Sequence, residues 1–127
     1  MLLEIYDALK PILYDPNVVI TVLYRIDGTP IFADIKERDP SILTVLYYLE
    51  SQIKDALYQI FNRDLSDFGF KFRNYLVRMY PISRTLVLTV ILKEDVSLYK
   101  FETDVSTVCM QIREIIGYDQ EDMHSLL

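Results

Sequence analysis

What most constrains this chain is the order of its elements: helix, hairpin, long helix, three strands, helix. Residues 2–9 place Leu2, Leu3, Ile5, Tyr6 and Leu9 at helical spacing. Pro11 predicts the end of that helix near Lys10, because proline lacks the N–H that continues the ladder. Asp15-Pro16-Asn17 reads as a turn. Residues 18–26 then form a strand with two apolar faces: Val18, Ile20, Val22, Tyr24 and Ile26 on one, Val19, Thr21 and Leu23 on the other. A strand apolar on both sides belongs in the middle of a covered sheet. Asp27-Gly28 predicts a hairpin turn, since glycine accepts positive φ. The return strand, 30–35, opens on Pro30, which cannot donate to a ladder and so suits a sheet edge.

Asp39-Pro40 has the chemistry of a helix start, an acidic N-cap followed by proline at the first helical position. Ile42, Leu46, Leu49, Ile53, Ala56, Leu57 and Ile60 then make one apolar stripe to about Phe61, with Asn62 placed to cap the end. Three strands follow. Phe68, Phe70 and Phe72 alternate with Gly69, Lys71 and Arg73, which gives one buried face. Residues 75–80 form the next strand, and 85–92 (TLVLTVIL) a central strand apolar on both sides. The last helix runs from near Asp95 to Gly117, its C-cap glycine, on a stripe of Leu98, Phe101, Val105, Val108, Cys109, Ile112, Ile115 and Ile116. The expected fold is α+β: a five-stranded, mainly antiparallel sheet between helices, in the order α-β-β-α-β-β-β-α. Residues 1–117 form one domain and 118–127 an acidic tail.

Chemistry is sparse. His124, the only histidine, lies in the tail, and Cys109 sits on a core stripe, so neither a Cys-His pair nor a zinc site is expected. A single cysteine also forbids an internal disulfide, which fits a reducing compartment, the cytoplasm. Gly28, Gly69 and Gly117 are too scattered for a phosphate-cradling loop. Asp34, Glu37 and Asp39 flank the long helix's start, but Asp39 has sufficient work as N-cap and the other two read as solvated. Asp119, Glu121 and Asp122 are too irregular for a calcium loop. No catalytic residue, cofactor or metal is expected. A net charge of −6 disfavours nucleic acid and anionic lipid surfaces, and no apolar run approaches the ~20 residues of a membrane span.

Two features point instead to association. Tyr47, Ser51, Lys54 and Tyr58 form a second stripe on the long helix, opposite its core stripe, with Tyr48 beside it. Tyrosine is enriched at interfaces because it brings a large area and a polar tip at low entropic cost. The Phe68-Phe70-Phe72 strand, if it lies at the sheet edge, leaves backbone groups open to a twin strand, or else Lys71 and Arg73 act as gatekeepers that block such pairing. The two are close in sequence, so one homodimer interface could use both: Tyr47, Lys54, Tyr58, Phe70 and Phe72.

Three stretches carry a family resemblance. VVITVLYRIDGTPIFADI resembles the first hairpin of the roadblock family, small domains related to dynein light chains and to bacterial and archaeal GTPase partners. YLVRMYPISRTLVLTVIL is similar to its fourth and fifth strands, and SLYKFETDVSTVCMQIREI to its closing helix; the likeness spans about residues 2–117. The resemblance implies the 30–35 strand at one sheet edge and the Phe strand at the other. It also implies homodimers that pair the latter and pack the long helices together, and a non-enzymatic role binding or regulating Ras-like small GTPases. A monomeric longin or profilin-like adaptor is the second expectation. A small-ligand sensor is the third; it would require a polar cluster in the core, for which Thr21, Thr85 and Thr89 are the candidates.

Overall fold

The protein's structure, a computed structural model, describes residues 2–36, 40–63, 67–94 and 97–118. Its elements are α1 (Leu2–Leu13), β1 (Val18–Arg25), β2 (Pro30–Ile35), α2 (Pro40–Arg63), β3 (Phe68–Phe72), β4 (Tyr75–Pro81), β5 (Leu86–Lys93) and α3 (Leu98–Tyr118). They form two compact units: Pro16–Val96, and Met1–Asp15 with Ser97–Leu127.

In the first unit all five strands join one antiparallel sheet in the order β2-β1-β5-β4-β3. The edges are the two expected strands, and the two central strands are those whose sequences are apolar on both faces. α2 lays its stripe on one face of this sheet. Leu49, Ile53, Ala56, Leu57 and Ile60 form a single buried cluster with Val22 and Tyr24 of β1, Val77 and Met79 of β4, and Val87 and Ile91 of β5. Fully burying one such aliphatic side chain is worth about 1.5–3 kcal/mol, so this contact dominates the unit's stability. Phe68, Phe70 and Phe72 pack against the same cluster but remain half-buried.

In β1 the strict alternation fails at its start. The pairing with β5 shifts between Val18 and Ile20, and this bulge brings Val19 onto the α2 face alongside Ile20. A bulge adds one residue opposite one partner, so the faces exchange there. The hairpin turn is as expected. Gly28 has φ of 95°, and the Thr29 N–H donates to the Asp27 carboxylate at 2.9 Å. β1 ends at Arg25, but the Ile26 N–H still donates to the Thr85 carbonyl at 2.8 Å. Asn62 lies within the last turn of α2, where its side-chain amide donates to the Tyr58 carbonyl at 2.8 Å.

In the second unit α1 and α3 pack together. Pro11 does not end α1. Its missing N–H forfeits one bond, in the last turn, while Ile12 and Leu13 are buried by continuing and the Tyr14 N–H reaches the Lys10 carbonyl at 2.9 Å. Gly117 is likewise not a cap. It lies within α3, which runs on to Tyr118, and Gly28 is the only described glycine with positive φ. The proposed helix starts at Asp39 and Asp95, and the tail after Tyr118, lie outside the described residues.

Ile53→Ala should cost about 2–5 kcal/mol in urea denaturation, because the cavity opens beneath α2 within the buried cluster. The Asp27 carboxyl is held below its usual range, first by the Thr29 N–H and with help from Arg25. A lowered folded-state pKa contributes stability that is complete above the unfolded value of ~3.9 and is lost as pH falls through the folded one. Asp27→Asn keeps an acceptor for Thr29 but not the charge. Its deficit against wild type in urea should therefore be steady near neutral pH and shrink below about pH 4.

Candidate protein-interaction surface

Because one side of α2 is buried, its sequence fixes what the other side shows. Tyr47, Tyr48, Tyr58 and Phe61 are all more than half exposed, Tyr47 at 73%. Single exposed apolar residues are ordinary; four large aromatics exposed along one helix are a concentration of apolar surface. Tyr47 and Tyr48 meet edge to face, with ring centroids 5.6 Å apart. Lys54 pairs with Glu50 one turn away at 3.3 Å, both well exposed, so that pair adds little.

The five residues proposed from sequence fall along two margins of α2. Tyr47, Lys54 and Tyr58 are exposed; Tyr47 and Lys54 border one groove between α2 and the β1–β2 hairpin, and Lys54 and Tyr58 a second. Phe70 and Phe72 lie on edge strand β3, half-buried. Two residues outside that set join the β3 side to the helix. Arg73 stands 5.8 Å from the Tyr48 ring and 5.5 Å from the Phe72 ring. Arg73 occupies the turn between β3 and β4 with φ of 53°, in the left-handed region. No local pattern announces this contact, because Tyr48 and Arg73 are distant in sequence.

The open backbone of β3 can be assigned. The Glu94 N–H donates to the Asn74 carbonyl, which directs the even residues of β4 toward β5 and its odd residues toward β3. Tyr75, Val77 and Met79 therefore bond Phe72, Phe70 and Phe68, and the N–H and C=O groups of Gly69 and Lys71 point off the edge.

Nothing described gathers catalytic chemistry. Among the described residues no three His, Cys, Asp or Glu side chains cluster as a metal site, and no helix is long and apolar enough to cross a membrane. Cys109 is buried in α3. Asp34 is half-buried on β2, while Glu37, Asp39 and His124 lie outside the described residues. Thr21 and Thr89 are fully buried, but Thr89 pairs with Val22, the neighbour of Thr21, so their hydroxyls occupy opposite sheet faces. Thr85 is tied to Ser83 in a turn. The convergent polar groups that a ligand pocket needs are not formed by these three.

A family profile matches residues 3–106. The chain belongs to the AF0774-like protein family. No curated protein matches it. Solved structures place its fold. Myxococcus xanthus MglC aligns with a TM-score of 0.71 at 17% identity, over 87% of this chain and 98% of that one. The gliding protein MglB of Thermus thermophilus gives 0.65 at 9%, covering 88% and 87%. A Roadblock/LC7 domain from Streptomyces avermitilis gives 0.61 at 13%, covering 87% and 92%. The AF0774-like chain thus has the roadblock fold that its hairpin, strand pair and closing helix resemble.

Arg73 gives a test of this surface. A left-handed backbone costs a non-glycine residue roughly 1–2 kcal/mol, and an exposed cation–π contact returns about 0.5–1. Arg73→Ala keeps the strain and loses the contact, so it should destabilise by about 0.5–1 kcal/mol in urea melts. Arg73→Gly loses both and should lie within about 1 kcal/mol of wild type, on the stable side of the alanine variant.

Proposed function

We propose that this AF0774-like chain is a homodimeric, non-enzymatic scaffold of roadblock type that docks a small Ras-like GTPase. The observation that carries the dimer is the continuity of two unsatisfied features. The exposed aromatic face of α2 runs, through Arg73 and Tyr48, into edge strand β3 with its open backbone and half-covered phenylalanines. A second copy related by a two-fold axis meets both needs at once. Twin β3 strands pair through Gly69 and Lys71, and the twin α2 helices cover one another's aromatics. Tyr47, Lys54, Tyr58, Phe70 and Phe72 are the residues this interface would draw on.

The GTPase partner rests on the roadblock resemblance and on the likeness in fold to MglB and MglC. One MglB structure has a tetrameric arrangement, which supports association as a habit of the fold. On this reading the chain holds its partner by shape. It binds one conformation of the GTPase's switch region more tightly than the other and shifts the population by that difference. It works in the cytoplasm, through residues 1–117, with no cofactor.

Light scattering over a dilution series should give about twice the 15.0 kDa chain mass for wild type. Tyr47→Glu with Tyr58→Glu should lower it to one chain, since four carboxylates would be buried at the twin helices. A strict wild-type monomer contradicts the dimer and favours the longin-like adaptor. A double variant that stays dimeric contradicts this interface.

A further inference from the structure

The other sheet edge carries a separate feature. Among the described residues β2 pairs only with β1. The Lys36 N–H donates to the Val19 carbonyl and the Ile26 N–H to the Thr85 carbonyl, which turns the odd residues of β1 toward β2. Asp34 and Phe32 therefore close the ladder with Thr21 and Leu23, and the N–H and C=O groups of Ala33 and Ile35 point off the edge. On the α2 side this open edge borders a groove of about 360 Å³. Val22, Tyr24, Leu46 and Ile53 line it with apolar surface, Tyr47, Glu50 and Lys54 also border it, and the small side chain of Ala33 leaves it open toward the edge. Burial and Glu50 both push the Tyr24 hydroxyl's pKa up, so it stays protonated beside the groove.

A strand laid along β2 would present alternate side chains to two different environments. Those level with Ala33 and Ile35 would enter the apolar groove. Those level with Asp34 would lie on the opposite face beside its carboxylate, on a chain of net charge −6. We infer that β2 is a docking edge for an extended segment of another protein that alternates apolar with basic residues. The open backbone supplies affinity, the groove takes the apolar residues, and Asp34 selects lysine or arginine between them. The open backbone of β2 lies four strands from β3 in the sheet order, so it is separate from the proposed β3 pairing, while Tyr47 and Lys54 of the groove are shared with the residues that dimer would draw on.

The probe is a short synthetic peptide alternating valine and lysine, added to the full chain. Amide hydrogen exchange and chemical-shift changes should localise its binding to Ala33 and Ile35, whose outward N–H groups become protected. Ala33→Trp, which fills the groove mouth, and Asp34→Lys, which reverses the selecting charge, should each weaken it at least about tenfold. A peptide of the same composition in two blocks should bind at least about tenfold more weakly as well. N-methylating either the valines or the lysines should abolish binding while methylating the other set leaves it, because a paired strand offers one backbone edge to β2. That last comparison needs no protein variant, so it holds even if Asp34→Lys fails to fold. Equal binding by the block peptide, tolerance of both methylated sets, or protection away from β2 would overturn the assignment. So would a fall in the protein's own oligomeric mass on Ala33→Trp, which would make a second copy the occupant.

Discussion

The packing of α2 on the sheet is the contact on which the rest of the Pro16–Val96 unit depends. Leu49, Ile53, Ala56, Leu57 and Ile60 interlock with β1, β4 and β5, and that single contact fixes the rotation of the helix. Once it is fixed, the aromatics that do not fit the stripe have nowhere to point but outward. The stripe that stabilises the fold thereby also displays Tyr47, Tyr48, Tyr58 and Phe61. Burial of the core stripe carries the energy, and the exposed stripe carries the information.

The two edges of the sheet are finished differently. β2 begins with Pro30, ends beside Lys36, and shows the small Ala33 over a groove. β3 presents phenylalanines that the core covers only in part, with Gly69 and Lys71 as its open backbone positions. Gly69 has its own packing reason. A Cβ there would stand 3.1 Å from the Arg78 side chain, which lies across it from β4. An open edge is a liability unless something pairs with it, and each edge here has a chemistry that suits a different strand.

Much of this was legible in the residues. Two-sided apolarity marked β1 and β5 as central, Pro30 marked an edge, and alternation in 68–73 marked a one-faced strand, because each signal is local and acts through a single physical rule. What escaped the sequence was set by partners. The bulge at Val18–Ile20 exists only against β5. Pro11 predicts a stop because its lost hydrogen bond is visible in sequence and the burial of Ile12 and Leu13 is not. Gly117 has the residue type of a cap, but its freedom to turn does not oblige it to. On the surface, the aromatic stripe was readable from spacing alone. The link from Tyr48 through Arg73 to Phe72 was not, and neither was the groove at Ala33, whose signal is the lack of a large side chain.

In the proposed dimer a second copy completes β3. Amide exchange of Gly69 and Lys71, followed residue by residue across a dilution series, tests it most directly. Their N–H groups point off the edge and have no partner strand among the described residues. They should be protected at high concentration and lose that protection together on dilution, while Val77 and Met79 in β4 stay protected throughout. Fast exchange at Gly69 and Lys71 at every concentration would contradict the paired edge.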